Sequence, residues 1–530
     1  MNFLKSILTF TILSFNQFIN AQNITTINYD KDEFWWGGVV ALGSKMPYVQ
    51  PLKEFNLALQ NNNNQVVPLF LSSKGRYVWS DKPFKFEVKN NQLVLDSKYE
   101  KIEIKKSGKT LKSAYLDAST RNFKSTFTLP NELLFVAPQY NTWIELMYNQ
   151  NEKDILEYAK AIKSNGFPEG VLMIDDNWQR YYGNFDFRAE KFPNPKGMIN
   201  ELHTMGFKIM VWVSPFVSAD SEEYRELEEK GYLIKEKGKN TPAIISWWNG
   251  KSACYDLTNP EAKAYFIKQL KDMQVKYGVD GFKFDAGDNG FYNENYIDSY
   301  DKNAISVDHT RAWSEIGLEF SFNEYRAGWQ LGGQPLVQRL GDKQYSWKAV
   351  QMLVPDMISA GLLGYAYTCP DMIGGGSFAA FLNIKEDQFD QKLIVRSTQI
   401  HAMMPMMQFS VAPWRILSKD NLEIVKNAAK LHEKFGNYIV EYAKISSKTG
   451  EPIIRHMEYE FPNQGFEQVI DQYMLGSKFM VAPVVTTENR RSIKLPKGKW
   501  KDDLGKIQQG GKTIEVDVPL NRIPYFEKIN

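Results

Sequence analysis

Beyond residue 142 the chain settles into one rhythm, in which short apolar runs alternate with segments whose apolar residues recur at helical spacing. The spacing predicts strands at 143–148, 170–174 and 208–213 and helices at 152–163, 195–205 and 260–276. In the first of those helices Ile155, Ala159 and Ile162 fall on one face. Further strands are expected at 318–323, 336–338 and 364–368, each followed by helical pattern, and a long helix at 422–442 closes the series. Strand–helix units repeated over roughly 300 residues fit a (β/α)8 TIM barrel better than an open doubly wound sheet. No glycine-rich phosphate loop follows an early strand, which counts against a nucleotide fold.

Within this region the stretch DGFKFDAGD, residues 280–288, starts as an apolar strand and ends in Asp285, Gly287 and Asp288. Side chains alternate along a strand, so Lys283 and Asp285 share one face and Phe282 and Phe284 the other. In a barrel the apolar face packs on helices and the polar pair opens into the pocket at the strand's C-terminal end. Lys283, two residues before Asp285, is expected to hold that carboxylate ionised, as a nucleophile or electrostatic stabiliser must be. A structural salt bridge at a strand end is the plainer alternative.

Other polar residues collect at the ends of the predicted strands: Asp175 and Asp176, Arg326, Arg339 with Asp342, and Asp371. A single such Asp is commonly a helix N-cap, but several on successive strands build a site. Two carboxylates from different strands, one ionised and one able to donate a proton, are the minimal machinery for breaking a glycosidic bond. Asp285 suits the ionised role and Asp342 the acid, although Arg339 nearby pushes Asp342 the other way. The five histidines show no metal-ligand spacing and there are only two cysteines, Cys254 and Cys369, so neither a bound metal nor a disulfide framework is expected. No cofactor is called for.

The flanks read differently. Residues 22–140 carry short alternating runs such as FKFEV at 84–88, broken by polar turns at 61–64 and 72–75, the pattern of an N-terminal β-sandwich. Residues 141–447 hold the barrel, and 448–530 return to strand pattern as a smaller C-terminal β-sandwich. In the first flank FWWGG at 34–38 suits a loop that presents Trp36 as an aromatic wall, or a Trp packed between domains. Residues 1–21, with Lys5, an apolar run at 7–15 and Ala21, read as a signal peptide, too short for a membrane span, so export to the periplasm or beyond is expected. With 64 basic and 62 acidic residues nothing argues for a nucleic-acid partner, and 13 Trp with 27 Tyr fit a protein that stacks sugar rings.

These stretches resemble glycoside hydrolase family 31. FKFDAG at 282–287 is similar to that family's nucleophile strand, and RLGD at 339–342 with Ser346 and Trp347 to its acid/base segment. YMLGSKFMVAPV at 473–484 and LPKGKW at 495–500 resemble its C-terminal sandwich. FWWGG, IDDNW at 174–178, WWNG at 247–250, EYRAGW at 324–329 and MQFSVAPW at 407–414 are similar to the myogenesis-regulating glycosidase branch.

The resemblance implies a retaining α-glycosidase, of α-galactosidase type in that branch, acting on an oligosaccharide or glycoside. It implies Asp285 as nucleophile, Asp342 as general acid/base, and Asp175, Asp176, Trp248 and Arg326 as holders of the sugar; Lys283, Arg339 and Trp36 are further substrate-binding candidates read from the residues themselves. Two departures bear on the sugar: Gln408-Phe-Ser410 stands where α-glucosidases of the family carry Arg-x-His, and Gly341 precedes the acid as it does in those glucosidases. The same chemistry on α-glucosides, α-xylosides or sulfoquinovosides, a binding protein with a dead barrel, and a metal enzyme using Asp175, Asp176 and Asp371 are the rival readings. His401, in an apolar helix, reads as a satisfied core histidine.

Overall fold

Eight short parallel strands form the central sheet in sequence order, from β1 (Gln139–Asn141) through β2 (Val171–Ile174), β3 (Lys208–Val213), β4 (Gly281–Phe284), β5 (Phe322–Tyr325), β6 (Gln338–Arg339) and β7 (Thr368–Cys369) to β8 (Gln408–Phe409), which returns to β1. A parallel bridge between Met372 and Gln408 brings the two ends of the sheet together, so the chain folds as the expected TIM barrel. The computed structural model describes residues 23–382 and 384–529; the leader-like segment 1–21 lies outside the described residues. Among the described residues no helix is long and apolar enough to cross a membrane.

Helix starts follow local chemistry. Asn151, Asn194, Asn259, Ser346 and Ser418 each cap a helix by accepting a backbone N–H, and Pro195 and Pro260 follow their caps directly. The last long helix runs Lys419–Thr449 and stops at Gly450, whose φ of 74° lies in the left-handed region that glycine adopts most readily. Along β4 the alternation holds: Phe282 packs on Phe320, and Phe284 stacks on Tyr325 with centroids 4.7 Å apart and meets the edge of Trp313 from helix Ser306–Ile316. Each of these buried phenylalanines contributes about 1.5–3 kcal/mol. That anchorage fixes the strand whose end carries Asp285.

The first strand is displaced from the expected 143–148. It is Gln139–Asn141, and Trp143–Leu146 is a helical turn whose first N–H is taken by Asn141 Oδ1 at 2.8 Å. The barrel interior is polar here: Gln408 Nε2 donates to Gln139 Oε1 at 3.0 Å and to Glu324 Oε2 at 2.8 Å. Inward-facing amides and acids erase the apolar signal that marks a strand. The same effect moves β5, β6 and β7 toward the C-terminal side of the expected runs.

Two sheets precede the barrel. One has four strands; the other has four from the N-terminal region and borrows Gly328–Trp329 from the barrel loop, which pairs in parallel with strand Gln65–Ser72. After the barrel come a six-stranded and a two-stranded sheet. Of the two readings of Trp36, the Trp packed between domains is the one that holds, and the loop-presented aromatic wall is not. Trp36 lies in the fully buried strand Trp35–Val39, edge-on to His456 at 5.2 Å, where it joins the N-terminal sheet to the C-terminal region. Gly37 and Gly38 accommodate a β-bulge there, because a Cβ on Gly37 would sit 2.1 Å from the carbonyl of Leu69.

Candidate active site

Asp285 sits one residue past β4, where the backbone turns sharply through Ala286 at φ 61°. Its carboxylate accepts Arg326 Nε at 2.7 Å, Trp212 Nε1 at 3.0 Å and the N–H of Ala286 at 2.9 Å. Arg326 is itself gripped in a two-pronged contact by Asp288, at 3.0 and 2.6 Å. Burial pushes the Asp285 carboxyl up, but the charges of Arg326, Lys283 and Arg339 outweigh it and hold the group well below the usual carboxylate range. It is therefore a fixed anion at the barrel mouth.

Lys283 does not pair with Asp285. Its Nζ lies 2.6 Å from Asp175 Oδ2, at the end of β2, and the direct partner of Asp285 is Arg326. Strand alternation put Lys283 on the correct face, but its long stem reaches across the barrel interior instead of along its own strand. Lys283 and Arg339 are almost sealed from solvent, and each spends its charge on neighbouring carboxylates, Lys283 on Asp175 and Arg339 on Asp342 and Asp371.

Asp176 is held by Asn249 Nδ2 at 2.6 Å and Tyr182 Oη at 3.2 Å, and Asn249 in turn accepts Tyr148 Oη at 2.8 Å. Burial, then the charge of Asp175, raises the Asp176 carboxyl to about 7. The sign follows directly. A folded pKa near 7 against an unfolded value of about 4 means the folded chain keeps a proton the unfolded chain releases, so stability is fully present below pH 4 and declines as pH rises through 7. Asp176→Asn is expected to abolish on the order of 4 kcal/mol of that decline, read from denaturant melts at pH 4 and pH 8. Trp248, which precedes Asn249 and is 49% exposed, has the Arg326 guanidinium 5.2 Å from its ring centre.

Asp342 comes three residues after Arg339, with 41% of its side chain exposed. Arg339 Nη1 donates to Asp342 Oδ1 at 2.7 Å and to Asp371 Oδ1 at 2.8 Å, while its Nε lies 3.2 Å from Glu324 Oε1. Burial, and the nearby charge of Asp342, raise Asp371 to about 7 against the pull of Arg339. Asp371 Oδ2 also accepts the N–H groups of Lys343 and Gly376.

The structure thus brings Asp175, Asp176, Trp248, Lys283, Asp285, Arg326, Arg339 and Asp342 to one end of the barrel and leaves Trp36 elsewhere. Sequence reasoning missed Trp212 and Tyr182, for which isolated residues in ordinary contexts gave no signal, and passed over Asn249 although it lies in the WWNG stretch at 247–250. Asp288 had one, as the second acid of its stretch. Among the described residues no group of three His, Cys, Asp or Glu side chains is placed to hold a metal ion. Asp371 stands with Asp342 on Arg339, apart from the Asp175 pairing with Lys283. His401 is a buried core residue, bound to the carbonyls of Ser397 and Asp371. Cys254 and Cys369 are both free and buried. A cavity of about 760 Å³ beside the helix Lys419–Thr449 includes none of the site residues in its lining.

Residues 137–441 match the model of the glycosyl hydrolases family 31 TIM-barrel domain, and residues 450–530 that of the family 31 C-terminal domain. The chain belongs to glycoside hydrolase family 31. This family 31 chain is 30% identical to the mouse myogenesis-regulating glycosidase over 416 residues, 77% of its own length and 58% of that protein's. It is 25% identical to an α-xylosidase of Emericella nidulans over 479 residues, 84% of its length and 59% of the relative's. The chain therefore spans about 60% of the length of these curated relatives. Among solved structures, a family 31 dextranase of Flavobacterium johnsoniae complexed with glucose superposes with a TM-score of 0.81 at 21% identity, covering 95% of this chain and 66% of that one. That similarity speaks to the fold.

Proposed function

We propose that the chain is a retaining, exo-acting α-glycoside hydrolase of α-galactosidase type. Asp285 attacks the anomeric carbon as the bond to the leaving oxygen breaks, and Asp342 delivers a proton to that oxygen. Asp342 then takes a proton from water as the water displaces Asp285 and releases the sugar with its original configuration. The observation that carries this reading is the Asp285 carboxylate, kept anionic by Arg326 and aimed by Trp212 in a family 31 barrel. Asp175, Asp176 and Trp248 are the groups that hold the sugar.

Galactose is favoured by the similarity to the myogenesis-regulating glycosidase and by Gln408, which bonds Glu324 inside the barrel where α-glucosidases of the family place an Arg. An α-xyloside is the second reading, since two α-xylosidases are 25% identical over more than 80% of the chain. A panel of nitrophenyl α-glycosides decides between them. The expected outcome is kcat/KM on the α-galactoside at least about tenfold above the α-glucoside and α-xyloside, a discrimination of about 1.4 kcal/mol. Equal or reversed values overturn the galactose assignment while leaving the chemistry standing.

A further inference from the structure

The turn at 61–65, which reads in sequence as an ordinary loop of the N-terminal sandwich, reaches both halves of the site. Asn61, Asn64 and Gln65 are all at least 95% buried. Asn61 Nδ2 donates to Asp288 Oδ1 at 2.9 Å, the carboxylate that grips Arg326. Asn64 Oδ1 accepts the backbone N–H of Gly341 at 2.9 Å, one residue before Asp342. Gln65 Nε2 bridges the two, donating to the carbonyl of Arg326 at 2.5 Å and to that of Arg339 at 2.9 Å. A Cβ on Gly341 would fall 2.5 Å from the carbonyl oxygen of Asn63, so the turn lies directly against the backbone that leads to Asp342.

The turn is braced as well as placed. Asn62 and Asn63 adopt left-handed backbone conformations, φ 49° and 58°, which Asn tolerates better than most residues, and Asn64 Nδ2 ties back to the carbonyl of Asn62 at 2.9 Å. Strand Gln65–Ser72 then carries it into the sandwich, paired with the barrel's own Gly328–Trp329. A surface loop has no need of three sealed amides directed at the loops of another domain. Buried amides persist where their hydrogen bonds are made, and here the partners hold the chain next to Arg326 and Asp342.

We propose that this turn is a positioning clamp for the two carboxylates. Asn61 and Gln65 fix the Arg326 side that orients Asp285, Asn64 and Gln65 fix the chain that carries Asp342, and the N-terminal domain thereby sets their separation. The proposal rests on Asp285 and Asp342 being the nucleophile and the acid. It makes the barrel incomplete alone.

The test uses the full chain, with kcat expressed per active site titrated by an activated fluoro-sugar, so that a lower folded fraction does not register. Asn64→Ala and Gln65→Met are each expected to lower kcat about 10- to 100-fold, the scale of a misplacement near 1 Å, with KM within about threefold of wild type. Ser306→Ala, which removes a bond to the carbonyl of Ala58 at the same domain boundary, is expected to leave kcat within about twofold. Hydrogen–deuterium exchange needs no substrate. The peptide containing Gly341 is expected to exchange at least about tenfold faster in Asn64→Ala, with β3 and β4 unchanged. The clamp is overturned if kcat stays within about twofold in both variants, if Ser306→Ala loses as much, or if exchange at Gly341 does not change. Should the wild type hydrolyse no α-glycoside, the functional assignment is what fails, and the exchange result still decides whether the turn holds this loop.

Discussion

Asp285→Asn is expected to lower kcat on a nitrophenyl α-glycoside by at least about 10,000-fold, because the amide neither attacks the anomeric carbon nor supplies the negative charge that the oxocarbenium-like transition state needs. The variant is expected to fold. Arg326 keeps its two contacts with Asp288, so no buried cation is left without a partner. In Asp285→Ala the vacated space admits a small anion, and added azide is expected to restore turnover with formation of a glycosyl azide. Retention of more than about a hundredth of wild-type activity in both variants, measured as initial rates on purified protein, removes Asp285 from the role of nucleophile.

The second large effect concerns Asp342. Arg339 Nη1 holds Asp342 Oδ1 at 2.7 Å, and 41% of the Asp342 side chain is exposed. Arg339 is shared among Glu324, Asp342 and Asp371, and burial with the nearby charge of Asp342 raises Asp371 to about 7. Asp342 is the exposed member of the three. Asp342→Ala is expected to slow hydrolysis of an unactivated disaccharide by about 100- to 10,000-fold, while a substrate with a dinitrophenolate leaving group, which needs no protonation, keeps most of its first-step rate. Equal losses on good and poor leaving groups contradict the acid role.

Much of this site was legible because parallel barrels put polar residues at strand ends, and Asp175, Asp285, Arg326 and Asp342 were found by that rule. Strand period also gave the correct faces for Phe282, Phe284 and Lys283. What it does not carry is reach across the barrel: that Lys283 meets Asp175, and Arg326 meets Asp285, depends on strand order and side-chain length, neither of which is a local property. Strand boundaries slipped where the interior is polar, since Gln139, Asn141, Glu324 and Gln408 interrupt the apolar pattern that defines a core strand. Trp36 misled for a related reason. Adjacent tryptophans and paired glycines look like a loop until a bulge in a buried strand gives both glycines a use. The clamp at 61–65 was hidden because a polar turn has the same composition whether it meets water or the far side of an active site.

The most direct test is to trap the intermediate. A 2-deoxy-2-fluoro or 5-fluoro α-galactosyl fluoride slows the second step, so the sugar accumulates as an ester on the attacking carboxylate, and digestion followed by tandem mass spectrometry locates it. The predicted result is one fluoroglycosyl group per chain, on the peptide containing residues 280–288 and sited at Asp285, with no adduct in Asp285→Asn. A label on any other carboxylate, or full turnover of the ordinary substrate with inversion at the anomeric carbon, contradicts it.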